Sequence, residues 1–331
     1  MENKLQNDVP EEFSRKKIVP DVTVILISSI ILAGTWIYTS GVTNRVGQQS
    51  ANTLFNQENV SASELEEKVL PSKGVTLPVE WGDMGSQLVD KGVIDAGKLK
   101  DIYEKRNNFT DEYQKLLSGK NNGKLKITNK NSGYILNLLW AVGLANKNPI
   151  LETGEMSDPS FGGAQSFAST GGWTVSDGDP MDHFSGHKFF NLTVEQQALV
   201  DKISRGIYRP CCGNSTHFPD CNHGMAMLGL LEMMAFQGVS EQDMWKTALV
   251  VNSYWFPNNY LAIAEYMGKK GVDWADVDPQ EILGFDYSSS QGYKNIVSKT
   301  SGLRSQRGEG SGCGIDSSSS TKQEQQVGCG I

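Results

Sequence analysis

The chain has 331 residues, of which 38% are hydrophobic and 21% are charged, values typical of a folded globular protein. Its formal net charge is -8, and we find no extended cluster of Lys and Arg that could neutralise phosphates. These features exclude a largely disordered chain and argue against a nucleic-acid partner.

An apolar segment near the N-terminus predicts a membrane anchor. Residues 22–38 contain no charged side chain and approach the ~20 residues that a helix needs to cross a bilayer. Arg15, Lys16 and Lys17 precede the segment and only Arg45 follows it closely, which predicts a cytoplasmic N-terminus. A cleaved signal peptide is the alternative, but no small-residue cleavage pattern follows. We therefore predict a cytoplasmic leader over 1–20, a single-pass anchor over 21–39 and an extracytoplasmic remainder.

After the apolar segment, the chain is first polar and then has the apolar spacing of helices. Polar residues over 40–74 predict a linker, with a short helix near 63–68. We interpret residues 77–84 as a turn whose Trp81 is anchored in the core. The folded domain is therefore expected to begin near this turn and to cover 75–284. Within it, apolar residues recur at spacings of three and four, which predicts helices over 85–91, 95–106, 135–144, 193–207, 225–236, 240–253 and 257–267.

Two segments depart from helical periodicity. Gly, Ser and Asp interrupt it over 152–190, which predicts a long irregular loop, and a Thr193–Gln196 capping box restarts a helix after it. Residues 285–331 are rich in Ser, Gly and Gln and predict a disordered tail that carries two Gly-Cys-Gly-Ile units, at Cys313 and Cys329. The predicted fold class is therefore mainly α, with one helical globular domain after the anchor.

A dense group of cysteines and histidines marks the candidate site. Thiolate and imidazole are the usual protein ligands of zinc and copper, although no C-x2-C pair is present here. His183 and His187 are possible additions, because their i, i+4 spacing would place both rings on one face of a helix. The candidate metal ligands are Cys211, Cys212, His217, Cys221, His223, His183 and His187.

The same cysteines allow two other interpretations. An exported protein commonly forms disulfides, and Cys221 could pair with Cys211 or Cys212 to staple the loop. Asp220 or Asn222 could cap a helix that begins near His223, which would place Cys221 at a helix N-terminus and favour a reactive thiolate. Metal binding, a disulfide and a thiol enzyme that uses Cys221 all stay open at this point.

A resemblance supports the same region without giving it an activity. The pattern Cys-Cys, eight residues, Cys-Asn-His-Gly over 211–224, with residues 77–83 upstream, is similar to a group of uncharacterised membrane-anchored bacterial proteins. The resemblance covers about 75–267 and implies no known reaction. No recognised catalytic motif or nucleotide-cofactor motif is present, so a non-enzymatic role is favoured.

These observations lead to one expected function and two alternatives. We expect a membrane-anchored extracytoplasmic protein that binds copper or zinc through the loop, for metal handling or redox support. The first alternative is a surface binding or scaffold domain with a disulfide-stapled loop. The second is a thiol-dependent enzyme.

Overall fold

Helices form most of the fold over residues 62–300, the part of the chain that the computed structural model describes. The mainly α prediction is confirmed for this part. The predicted leader and anchor, most of the linker and residues 301–331 lie outside it. The helices are α1 (62–69), α2 (Met84–Asp90), α3 (Ala96–Lys105), α4 (Asp111–Ser118), α5 (Ser132–Ala145), α6 (Pro149–Glu152), α7 (Val194–Gly206), α8 (Asn222–Phe236), α9 (Glu241–Trp255), α10 (Pro257–Lys269), α11 (Pro279–Leu283), α12 (Phe285–Ser288) and α13 (Ser290–Thr300).

A two-stranded antiparallel sheet was not predicted. Strand β1 (Val75–Gly82) pairs with β2 (Asn122–Ile127), and the interpretation of 77–84 as a turn is wrong. Leu77, Val79 and Trp81 alternate toward the core and are almost completely buried, which is the period-two pattern of a strand. Pro78 makes this strand hard to recognise in the sequence, because proline cannot donate a hydrogen bond to the β-ladder. The register is also irregular between Thr76 and Glu80.

The core is built around the crossing of α5 and α8. Both helices are apolar on all sides, and nearly every residue of each is buried, as expected for helices enclosed by others. Gly143 and Gly229 allow the close approach, because a Cβ on Gly143 would lie 2.0 Å from the Met225 carbonyl oxygen. The prediction of a central core helix over 135–144 is thus confirmed, and this crossing fixes where α8 begins.

The folded domain is longer than predicted at both ends. Helix α1 places Val69 and Leu70 in the core, each 3% exposed, so residues 62–74 are not a linker. The tail prediction is wrong for 285–300, which form α12 and α13. Few apolar residues lie in these segments: Ile296 is buried, whereas Phe285 and Val297 are exposed. Amino-acid composition averaged over a sequence window does not reveal single buried apolar residues of this kind.

The irregular loop over 152–190 is confirmed, and buried residues hold it in place. It contains short 3₁₀ turns, and the Thr193–Gln196 capping box that opens α7 after it is also present. Trp173 is fully buried, donates its ring N–H to the Val93 carbonyl at 2.8 Å and packs against Trp140. Across residues 62–300, no helix has the length and apolar character needed to span a membrane.

Candidate metal centre

The cysteine loop folds around one buried guanidinium group. Arg209 is 1% exposed. Its Nη2 donates to Asp220 Oδ1 at 2.6 Å and to the Phe218 carbonyl at 3.2 Å, and its Nη1 donates to the Asn214 carbonyl at 3.0 Å. A buried cation needs such partners, because its desolvation is otherwise costly. Arg209 therefore fixes the path of the loop from 209 to 220.

A glycine makes room for this guanidinium group. Gly224 lies in the first turn of α8, and a Cβ there would come within 2.5 Å of Arg209 Nη2. The cation thus rests against a helix N-terminus, where the backbone already carries partial positive charge. Nearby anions would offset this concentration of positive charge, and Asp220 and a thiolate can supply them.

The three loop sulfurs converge beside Arg209. Cys221 Sγ accepts from Arg209 Nε at 3.0 Å and lies 3.7 Å from Cys211 Sγ, which is 3.9 Å from Cys212 Sγ. All three are free thiols, since a disulfide needs sulfurs about 2.05 Å apart. Four ligands placed tetrahedrally at 2.3 Å from a zinc ion lie about 3.8 Å from one another. The observed spacing therefore fits sulfurs that share one ion.

His223 completes a group of three ligands. One of its ring nitrogens lies within 4.8 Å of both Cys211 Sγ and Cys221 Sγ. The ring is 6% exposed and packs against Phe256, with centroids 4.4 Å apart. Its Nδ1 is buried with no hydrogen-bond partner, an arrangement that normally costs free energy and calls for an explanation. A metal ion bound to Nδ1 would provide one.

A second group of possible ligands shares Cys221. Ligand atoms of Cys212, Asp220 and Cys221 also lie within 4.8 Å of one another. Asp220 is the less available of these, because its two carboxylate oxygens accept from Arg209 at 2.6 Å and from Asn214 Nδ2 at 2.8 Å. Cys212 is therefore the better candidate for a fourth ligand.

The pKa of the thiol differs among the three loop cysteines. Hydrogen bonds from Cys211 and Cys212, together with the charge of Arg209, outweigh burial and hold the pKa of Cys221 well below its usual range. Hydrogen bonds with the other two sulfurs, and then burial, raise the pKa of Cys211 well above its ordinary value. The hydrogen bond from Cys211 favours the Cys212 thiolate, but the bond to Cys221 and burial prevail and raise the pKa of Cys212 to about 12. These directions favour the thiolate at Cys221 over those at Cys211 and Cys212.

His217 lies in the loop but does not join the sulfurs. Its Nε2 is 2.8 Å from Asp201 Oδ1 and 2.8 Å from Arg205 Nη2, both on α7. It is in neither group of converging ligands. Its Nε2 contacts join the loop to α7, and its Nδ1, like that of His223, is buried without a hydrogen-bond partner.

His183 and His187 contact each other and also stay outside both ligand groups. His183 Nδ1 is 3.0 Å from His187 Nε2, and His183 Nε2 is 3.1 Å from the Asp177 carbonyl oxygen. His183 lies in a turn after the 3₁₀ segment Pro180–Asp182, whereas His187 forms a β-bridge with Asn146, so the helical i, i+4 geometry is not formed. Burial, followed by the charges of His183 and Lys91, lowers the pKa of His187.

Some features of the site are not visible in the sequence pattern. Arg209 is one arginine among several, and only its place two residues before Cys211 connects it with the thiols. The expected helix cap also differs: Cys221 occupies the N-cap position of α8 with no side-chain cap hydrogen bond. Asp220 instead pairs with Arg209. The proximity of Cys221 to the helix N-terminus is confirmed, whereas its partner could not be predicted.

Comparisons with protein-family models, with curated proteins and with solved structures gave no match. The resemblance to membrane-anchored bacterial proteins therefore stays a prediction. The chemistry of two thiols, an imidazole and a buried cation is the basis on which the function of this site is inferred.

Proposed function

We propose that the protein binds one zinc or copper ion through Cys211, Cys221 and His223, with Cys212 as the fourth ligand. The observation that carries the proposal is the convergence of these atoms. The sulfurs are spaced at 3.7 and 3.9 Å, and the buried His223 ring beside them leaves Nδ1 without a partner. Soft thiolate and borderline imidazole ligands together favour these two metals.

The charges around the site favour the same ion. Arg209 and Asp220 form a buried pair of opposite sign. Three thiolates added beside this pair leave an excess of three negative charges, which a divalent ion reduces to one. The hydrogen bond from Arg209 Nε to Cys221 Sγ at 3.0 Å would then act on a metal-bound sulfur, orienting it and stabilising its charge.

Closing four ligands on one ion requires a small adjustment. Cys212 and His223 belong to the two different groups that share Cys221. Cys212 is half-buried, whereas Cys221 and His223 are buried. We propose that this side chain turns toward the ion on binding, while Cys211, Cys221 and His223 are already assembled.

The proposed role is metal handling or redox support rather than a named reaction. A bound zinc or copper ion would supply a Lewis acid or, for copper, a redox centre. If residues 21–39 anchor the chain as predicted, the site would face the extracytoplasmic side.

Metal analysis of the full chain, purified under reducing conditions, tests the proposal. We expect about one zinc or copper ion per chain after dialysis, measured by inductively coupled plasma mass spectrometry. Cys221→Ser and His223→Ala should lose the ion, whereas His183→Ala, which lies outside the proposed site, should retain it. A wild-type chain without stoichiometric metal, or a Cys221→Ser variant that keeps it, would overturn the proposal.

A second candidate function is thiol chemistry at Cys221. The Arg209 Nε contact and the N-cap position on α8 both stabilise a thiolate there. If Cys221 serves as a nucleophile, iodoacetamide should modify it at pH 6, as read by peptide mass spectrometry. An unmodified Cys221 under conditions that fully label an unfolded chain would count against this candidate.

A further inference from the structure

Cys211 and Cys221 are the two loop cysteines best placed to form a disulfide. Their Sγ atoms lie 3.7 Å apart, and a disulfide holds its sulfurs at about 2.05 Å. Cys211 Sγ is nearly as close to Cys212 Sγ, at 3.9 Å, but these two residues are adjacent and joined by a trans peptide bond. Their Cα atoms are therefore about 3.8 Å apart, whereas disulfides usually join Cα atoms about 4.4 to 6.8 Å apart. The geometry thus favours Cys221 as the partner of Cys211.

Hydrogen bonds hold the backbone beside both sulfurs. The Ser290 N–H donates to the Cys212 carbonyl at 2.9 Å, next to Cys211. The Met225 N–H donates to the Cys221 carbonyl at 3.0 Å, at the beginning of α8. Rotation of the Cys211 and Cys221 side chains is therefore the motion that would bring the two sulfurs together.

Arg209 keeps most of its partners if Cys221 is oxidised. Only its Nε bond, at 3.0 Å, involves a sulfur. The other bonds go to the Asp220 carboxylate and to the carbonyls of Phe218 and Asn214. A buried guanidinium group is costly when it lacks such partners, and here they remain. The loop should therefore keep its path from 209 to 220 in the oxidised state.

Cys211 is the sulfur that a small oxidant reaches more easily. It is half-buried, whereas Cys221 is 7% exposed. Peroxide reacts with thiolates to give a sulfenic acid, which a neighbouring thiol converts to a disulfide. Metal binding requires the deprotonated form of cysteine, so both sulfurs are thiolates in the loaded site.

We propose that hydrogen peroxide joins Cys211 to Cys221 and thereby releases the metal ion, an inference that rests on the proposed metal site. The Cys211 thiolate attacks one peroxide oxygen, so that an S–O bond forms, the O–O bond breaks and the leaving hydroxide takes a proton from solvent. The Cys221 thiolate then attacks the Cys211 sulfenic acid, so that the S–S bond forms, the S–O bond breaks and a second hydroxide is protonated. The two sulfurs lose two electrons, which reduce one peroxide molecule to two of water.

This oxidation removes two of the four proposed ligands. Cys212 and His223 remain, and the thiolate is the form of cysteine that binds metals. The number of thiolates falls from three to one, beside the pair of Arg209 and Asp220 that carries no net charge. A divalent ion would then exceed the negative charge left in the site, which favours its release to water.

Zinc release from the full chain tests the proposal. The chain carries Cys313→Ser and Cys329→Ser, which leaves the three loop thiols as its only cysteines. It is reduced, loaded with stoichiometric Zn²⁺ and treated with stoichiometric hydrogen peroxide, and the absorbance of 4-(2-pyridylazo)resorcinol reports the zinc set free. We expect nearly all of the bound zinc to be released, and to bind again once dithiothreitol has reduced the chain and has been removed. Loaded chain without peroxide is the control and should keep its zinc.

Digestion with Asp-N protease identifies the bond that forms. This protease cleaves before aspartate, so it separates residues 201–219, which hold Cys211 and Cys212, from residues 220–242, which hold Cys221. Oxidation should link the two peptides, and fragmentation in the mass spectrometer should place the bond on Cys211. In the metal-free chain, Cys212→Ser keeps the proposed pair and Cys211→Ser keeps the other one. We expect the linked peptides to form at least about tenfold more slowly in Cys211→Ser than in Cys212→Ser.

The possible failures are distinguishable. Zinc that stays bound after peroxide treatment, or oxidation to a sulfinic acid that dithiothreitol does not reverse, would overturn the proposed release and leave the metal site in place. Linked peptides with the bond on Cys212 would overturn the assignment to Cys211. A chain that binds no zinc before peroxide is added would overturn the metal site and this inference with it.

Discussion

At the scale of single residues, Arg209 is the group on which the site depends most. It joins Cys221, Asp220 and two backbone carbonyl groups while only 1% exposed. Replacing one member of a buried pair leaves the other charge uncompensated, which is more costly than the pair is stabilising. Arg209 therefore supplies the positive charge that stabilises both the Cys221 thiolate and the Asp220 carboxylate.

We predict that Arg209→Met lowers the free energy of unfolding by about 3 to 5 kcal/mol, because Asp220 loses its buried partner. Urea denaturation followed by circular dichroism measures the change. Arg205→Ala is the matched control, since the Arg205–Asp201 pair is exposed, and it should cost less than about 1 kcal/mol. Equal effects of the two substitutions would contradict the role given to Arg209.

A titration of the metal-free chain tests the charge state of the sulfurs. Thiolate absorbance at 240 nm should show one step well below the ordinary cysteine pKa, because hydrogen bonds from Cys211 and Cys212 and the charge of Arg209 stabilise the Cys221 thiolate. The Cys212 thiol should titrate only near pH 12. Cys221→Ser should remove the early step, and Arg209→Met should move it to higher pH. An early step that persists in Cys221→Ser would contradict the assignment.

At the scale of secondary-structure elements, the α5–α8 crossing positions the site. Helix α8 carries Cys221 at its N-cap and His223 in its first turn, so a shift of this helix moves both ligands. Gly143 and Gly229 bring the two backbones into contact. The sequence shows these glycines only as interruptions of two apolar segments.

We predict that Gly143→Ala destabilises the fold by at least about 1 to 3 kcal/mol, because its Cβ would overlap the Met225 carbonyl. Gly268→Ala in α10 is the control, since no atom lies within 4 Å of the added Cβ. That substitution should be neutral or stabilise the protein by up to about 1 kcal/mol. Chemical denaturation of both variants gives the comparison, and a neutral Gly143→Ala would show that α5 and α8 do not meet as described.

Helix α8 also holds a buried acid at its other end. Glu232 accepts from Asn146 Nδ2 at 3.1 Å and from Asn148 Nδ2 at 2.5 Å, which ties α8 to the segment between α5 and α6. Burial raises the pKa of Glu232 well above its ordinary value of 4.5. Between these two pKa values the folded state binds more protons than the unfolded state, so its stability falls as the pH rises.

The pH dependence of Glu232→Gln tests this carboxyl group. From pH 4.5 upward, the stability of the wild type should decline relative to that of the variant, which has no proton to lose at this position. Denaturation curves at several pH values measure the difference. A constant difference across this range would show that the Glu232 pKa is not raised.

At the scale of the whole molecule, the helices are the part of the fold that the sequence predicts best. Their apolar spacing is repeated over three or more turns, whereas β1 has only three inward residues, Leu77, Val79 and Trp81, and Pro78 interrupts them. Isolated anchors such as Val69 and Ile296 carry too little signal to locate the domain boundaries. The sequence therefore predicts the helices of the core better than it predicts the two boundaries of the domain.

The site was predictable only in part, because spacing along the chain does not report proximity in space. Cys211, Cys212, Cys221 and His223 do lie together, as ligand density predicts. His217 lies in the same loop but contacts Asp201, 16 positions earlier on α7. The contact between Arg209 and Cys221 depends on the conformation of the loop, which the spacing of residues along the chain does not determine.

X-ray absorption spectroscopy of the full chain with one equivalent of Zn²⁺ tests the central claim most directly. The site predicts three sulfur ligands at about 2.3 Å and one nitrogen at about 2.0 to 2.1 Å. The sulfur count should fall in Cys221→Ser and stay unchanged in the His183→Ala control. A spectrum with only oxygen and nitrogen ligands, the same in the wild type and in Cys221→Ser, would contradict the account.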